Sequence, residues 1–130
     1  MDKSNSSRSA MEMLAANFFD ALERADVAKA QSCYAPAATI WNNITGRTMD
    51  AAQVAAFLPA MAKRMPDRRY DQRQFAELPN GFVHRHRIMG TNRHAGRVAM
   101  HACVVVSVEN GQITHIAEYS DAQQLAAVFA

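Results

Sequence analysis

The sequence predicts an α+β domain in which amphipathic helices cover one face of a bent antiparallel sheet. Apolar residues in the first half recur at helical spacing, and the second half reads as four consecutive strands separated by turn residues. Helices first and a strand meander afterwards place the helices on one side of the sheet. A long twisted sheet curled around helices encloses a cavity, and the functional site is expected in it.

Residues 1–8 are polar and read as a flexible tail, leaving 9–130 as one domain. Met11, Leu14, Ala15, Phe18 and Leu22 form the apolar stripe of a first helix over about residues 9–25. Asp26 caps a short second helix to about residue 33, and Pro36 forbids its continuation. Thr39-Ile40-Trp41 is β-branched and aromatic, and Asn42, Asn43, Thr45 and Gly46 supply turn chemistry, so a short hairpin is expected over 38–49. Asp50 with Gln53 is a capping-box variant that opens a third helix carrying Val54, Phe57, Leu58, Met61 and Met65, which Pro59 should kink or divide. Strands follow over about 69–78, 82–90, 97–109 and 112–120, separated by Pro79-Asn80-Gly81, by residues 92–96 and by Asn110-Gly111. Ser120 or Asp121 then caps a last short helix bearing Leu125, Val128 and Phe129.

The chain has 130 residues, of which 49% are hydrophobic and 20% charged, enough for one core without disulfides or a structural metal. Its formal charge of +2 gives no reason to expect a nucleic-acid or membrane partner, and the arginines crowding residues 64–97 read as a solvated sheet face. No apolar run approaches the roughly 20 residues of a membrane span, and the polar N-terminus lacks a secretory signal, so a cytoplasmic location is expected. Cys33 and Cys103 lie outside any paired motif and are expected to stay reduced.

Alternation places Phe82, His84, His86 and Ile88 on one face of their strand and Arg85 and Arg87 on the other. Thr114, Ile116 and Glu118 likewise share a face, so an inward Ile116 brings Glu118 inward. Histidine, with an ordinary pKa of about 6.5, exchanges protons at working pH, and a desolvated carboxylate moves toward its neutral form. His86 is therefore the candidate general acid/base, Glu118 its carboxylate partner and His84 an orienting neighbour. Trp41, Asn43, Tyr34, Phe82 and Ile116 are the candidate substrate-binding residues, with Asn43 supplying an amide and Trp41 an apolar wall with an indole donor. Trp41 also reads as core, and the alternative for Glu118 is a surface carboxylate paired with an arginine. His84, His86 and Glu118 also form a set of the kind that holds zinc or iron, although the reading adopted assigns no metal and no cofactor.

Cys33-Tyr34-Ala35-Pro36, Trp41-Asn42-Asn43, Gly81-Phe82-Val83, His86-Arg87-Ile88-Met89-Gly90-Thr91, Asn110-Gly111-Gln112-Ile113 and Glu118-Tyr119-Ser120-Asp121 resemble the nuclear-transport-factor-two-like superfamily. More narrowly, the chain resembles its SnoaL-like branch, which includes polyketide cyclases and is related to ketosteroid isomerase and limonene-epoxide hydrolase. The resemblance implies a cone of three N-terminal helices packed on a curved, mainly antiparallel mixed sheet, with the segment around residues 39–43 joining that sheet. It also implies a homodimer through the outer sheet face and no cofactor. In the epoxide-hydrolase relatives an aromatic residue and an Asn two positions on hold a water, a pattern that Trp41 and Asn43 match. His84 and His86 stand in the stretch where those relatives carry an Arg-x-Asp pair, so the resemblance does not extend to epoxide hydrolysis by that pair.

The expected function is thus a SnoaL-like enzyme of the isomerase, cyclase, dehydratase or hydrolase type, using cofactor-free acid/base chemistry on a small, largely apolar oxygenated molecule. The alternative is a non-catalytic module of the same fold that binds a small ligand or a protein.

Overall fold

The computed structural model describes residues 8–130, so the tail expected over 1–8 lies, apart from Arg8, outside the described residues. Helix α1 spans Ala10–Arg24, opened by the Ser9 hydroxyl accepting from the Glu12 N–H and closed by Ala25 in the left-handed conformation. Ala15, Phe18, Phe19 and Ala21 are its buried residues. Asp26 caps α2, Val27–Ser32, through the Lys29 N–H.

Strand β1, Tyr34–Asn42, begins earlier than the residues alone predict. Pro36 cannot donate to a ladder, and the pairing with β6, Gln112–Ser120, jumps from Tyr34 opposite Ile113 to Thr39 opposite His115. The expected hairpin is present, with β1 pairing antiparallel to the short β2, Thr48–Asp50. Asp50 and Gln53 make a complete capping box at the start of α3, Ala51–Ala55. Pro59 falls in the first turn of α4, Leu58–Arg64, so the anticipated third helix is two, and four helical segments precede the meander.

The meander comprises β3, Arg69–Leu78, β4, Gly81–Asn92, β5, Gly96–Glu109, and β6. Asn110 and Gly111 both take positive φ, 51° and 74°, as a tight hairpin turn between twisted strands requires. A last helix α5, Ala122–Val128, is capped by Asp121. The six strands are ordered β2-β1-β6-β5-β4-β3, antiparallel throughout except for the parallel β1–β6 pair. The fold is therefore the mixed α+β arrangement expected, with helices against a six-stranded, mostly antiparallel sheet. No described helix is long and apolar enough to cross a membrane.

Strand alternation decides what each face offers. Phe82, His84, His86, Ile88, Met100, Ala102, Val104 and Val106 are all buried, whereas Arg85 and His101 are exposed. Phe19 from α1 lies on this inner face, its ring stacked on His84 at 3.8 Å and 9°. Cys33 is buried and Cys103 partly so, and neither is in a disulfide.

Candidate functional site

Between the helices and the inner face of the sheet lies a cavity of about 400 Å³. Its wall is mainly apolar and aromatic, contributed by α1 (Phe18, Phe19, Leu22), the divided helix (Val54, Phe57, Leu58, Met61), the sheet (Ile40, Ile88, Met100, Val104, Ile116) and the C-terminal segment (Leu125, Phe129). Polar chemistry comes from Tyr34, Asn42, Thr45, Tyr70, His86 and Glu118, and among the described residues no lysine or arginine lines it.

Of the eight site residues expected from the sequence, Tyr34, His86, Ile116 and Glu118 line this cavity. His84 is buried beside His86, covered by the Phe19 ring, and does not line it. Phe82 is fully buried and packs on Phe75 at 5.4 Å. Trp41 and Asn43 need correction, since neither faces the cavity. Ala38 and Ile40 are buried, 2% and 7% exposed, which sends Trp41 to the opposite face against Tyr119, ring centroids 5.4 Å apart. The sequence here is apolar on both parities, so alternation alone leaves its facing open.

Asn43 serves the backbone instead. Its Nδ2 donates to the Ser120 carbonyl at 3.1 Å, its Oδ1 accepts from the Ser120 N–H at 3.0 Å, and its own N–H donates to the Glu118 carbonyl at 3.1 Å. The residue that does face inward is Asn42, paired in register with Glu118. Its Oδ1 accepts from the Ile44 and Thr45 N–H groups at 3.0 and 2.9 Å, which fixes the side chain and leaves the amide N–H₂ as a donor. Tyr70 was also missed. It enters the wall because β3 shifts register between Asp71 and Gln74, with Gln72 at φ 51°, so simple alternation fails there.

The register separates the two expected catalytic groups. Glu118 lies opposite Val104, which in turn lies opposite His84, about 10 Å away across two strand spacings. His86 is one row further along, opposite Ala102. Among the described residues the Glu118 carboxylate has neither a hydrogen-bond nor an ion-pair partner, and three His, Cys, Asp or Glu side chains nowhere come together as a metal-binding group.

Burial raises the Glu118 pKa, because desolvation penalises the charged carboxylate. Tyr34 is raised chiefly by burial, with the Cys33 and Glu118 charges adding to it, and Tyr70 by burial followed by Glu118. Both phenols stay neutral donors. The histidines move the other way and correct the expectation of an ordinary value. His84 is pushed down to about 4 by burial and the Arg73 charge, and His86 to about 3 by burial, His84 and Arg73. Their Nδ1 atoms are 3.1 Å apart, a contact that needs one nitrogen protonated and the other bare. Near neutral pH both rings are uncharged, so His86 offers a hydrogen bond to the cavity and is a poor proton acceptor.

Residues 15–116 match the SnoaL-like domain family. A search among curated proteins finds no significant match. Solved structures of the same fold include a protein assigned as a SnoaL-like polyketide cyclase from Shewanella putrefaciens, 13% identical, with a TM-score of 0.77 over 95% of this chain and 87% of that one. AclR, assigned as a hydroxylase, from Streptomyces galilaeus is 12% identical with a TM-score of 0.80 over 94% of this chain and 82% of the other. A protein of ketosteroid isomerase-like fold from Catenulispora acidiphila, in complex with trimethylamine, is 12% identical with a TM-score of 0.75, covering 88% and 89% of the two chains.

Proposed function

This chain belongs to the SnoaL-like domain family, and from that premise we propose that it is a small-molecule enzyme of the isomerase, cyclase or dehydratase type. It performs cofactor-free proton transfer on a small, largely apolar oxygenated substrate. The observation that carries this reading is Glu118, a carboxylate without an ionic partner among the described residues, in an apolar cavity, its pKa raised by burial. A carboxylate poised in this way is a stronger base than one in water and, once protonated, a competent acid at the same atom.

For an isomerisation, Glu118 removes a proton from the carbon next to a carbonyl, and the electron pair moves onto the carbonyl oxygen as an enolate. The Asn42 amide and the Tyr34 hydroxyl, both on the cavity wall, are the donors available to that developing charge. With a β,γ-unsaturated ketone the enolate is a conjugated dienolate, and protonated Glu118 returns the proton to its γ-carbon, so that the double bond moves into conjugation and the enzyme is left unchanged. His86 contributes a neutral hydrogen bond, its ring held by His84. The test is a panel of uncharged cyclic ketones incubated in D₂O, with deuterium uptake followed by mass spectrometry. Exchange faster than in buffer is expected for ketones that fit, and buffer-level exchange across the panel would count against catalysis.

A homodimer through the outer sheet face belongs to the same proposal. Val83, Val105, Ala117 and Trp41 form one continuous row there, and Val105 and Tyr119 are 39% and 47% exposed. Sedimentation is expected to give twice the chain mass, and Val105→Lys to give the monomer; a monomeric parent chain would rule the dimer out.

A further inference from the structure

The cavity contains a buried hydroxyl that the chemistry above leaves unused. Tyr70 is only 6% exposed, and among the described residues its hydroxyl finds only the Met61 thioether, 3.9 Å away. A thioether is a weak acceptor, and withdrawing a hydroxyl from water without a good partner costs stability. Yet the backbone around Tyr70 is firmly held. Its N–H donates to Glu23 Oε2 at 2.7 Å, its carbonyl accepts from Arg73 Nε at 2.9 Å, and Arg73 is anchored by Asp20 at 2.7 Å. Its ring stacks on His86, with centroids 5.5 Å apart and planes 23° apart. A buried donor on the cavity wall that is held rigid and nearly idle is matched to something the described residues do not supply.

The charge of the wall narrows what that is. Among the described residues Glu118 is the only acid lining the cavity and no lysine or arginine joins it, so a ligand anion would enter a desolvated space beside a carboxylate, with Arg68 and Arg73 acting on Tyr70 only from outside the wall. We propose that the Tyr70 hydroxyl donates to the oxygen of an uncharged carbonyl ligand, and that the cavity rejects anions of the same shape. This rests on the reading of the cavity as a small-molecule site, and it adds the ligand class and the residue that selects it.

Four probes of one outline test it by calorimetric titration: 2-acetylnaphthalene, the hydrocarbon 2-isopropenylnaphthalene, 2-naphthoate and 2-naphthylmethylammonium. The hydrocarbon and the ketone are expected to bind the parent chain, with 2-naphthoate at least about tenfold weaker than the ketone. Tyr70→Phe should weaken the ketone about fivefold and leave the hydrocarbon unchanged. The infrared carbonyl stretch of the bound ketone should also lie lower in the parent chain than in Tyr70→Phe, a shift that a packing role would not produce. Equal loss of ketone and hydrocarbon in Tyr70→Phe, an unchanged carbonyl frequency, naphthoate matching the ketone, or the ammonium binding tightest would each overturn the proposal. Failure of the hydrocarbon to bind the parent chain would instead remove the small-molecule reading beneath it.

Discussion

Replacing Glu118 with Gln is expected to lower the proton-transfer rate by about 10²- to 10⁴-fold while leaving the chain folded. Gln keeps the shape of the side chain but cannot take up a proton, so binding survives and chemistry does not. Stability should move in the opposite direction. Desolvation disfavours the ionised Glu118, so at pH 8 the parent chain carries a strained charge that the neutral Gln lacks. As pH falls through the raised pKa, the native Glu118 takes up a proton before the unfolded chain does, and the parent gains the difference back. Scanning calorimetry should therefore find Glu118→Gln the more stable at pH 8, with the gap closing toward pH 5. A variant with full turnover would refute Glu118 as the proton-transferring group.

Acid should unfold this protein early, and the buried histidine pair is the reason. An unfolded histidine binds a proton below about pH 6.5, whereas native His84 and His86 hold off until about 4 and 3. A depressed basic group gives stability that is full above the unfolded pKa and drains away as pH falls toward the folded one. At pH 5 each ring has cost about 2 kcal/mol, about 4 kcal/mol for the pair, a large share of a typical folding free energy. Both rings cannot be cationic, because two protonated Nδ1 atoms would then face each other at 3.1 Å. The urea midpoint should fall steeply from pH 7 to pH 5, and the His84→Gln, His86→Gln double variant should flatten that dependence; an unchanged slope would show that other groups govern it. Asp67 and Asp71, held below their ordinary value by hydrogen bonds from Thr91 and Arg87, act only at lower pH.

The elements were legible because their signals are local. Ser9, Asp26, Asp50 with Gln53, and Asp121 each cap a helix within three residues of themselves, and Asn110-Gly111 turns a hairpin on its own backbone preference. Alternation also grouped His86 with Phe82 and Ile88, and Glu118 with Ile116, on shared strand faces, and His86, Ile88, Ile116 and Glu118 line the cavity. The site was less legible wherever distant elements decide. Asn42 rather than Asn43 faces the cavity because Ile40 is drawn into a core made by other strands. The displaced histidine pKa values depend on Phe19, which arrives from a helix 65 residues earlier than His84. Tyr70 depends on a bulge stabilised by Asp20 and Glu23, carboxylates with no sequence relation to β3.

The hydrogen bonds from Asn43 to the far end of β6 have a meaning for alignment fidelity. A strand has two faces, so sliding β6 by one residue against its neighbours would turn Glu118 out to solvent and bring Ala117 or Tyr119 into the apolar cavity. A carboxylate favours such a slip, because sliding relieves its desolvation. Asn43 opposes it with three hydrogen bonds that bracket Glu118 and Ser120 and can form in one alignment only. An exposed asparagine thus keeps a reluctant acid indoors.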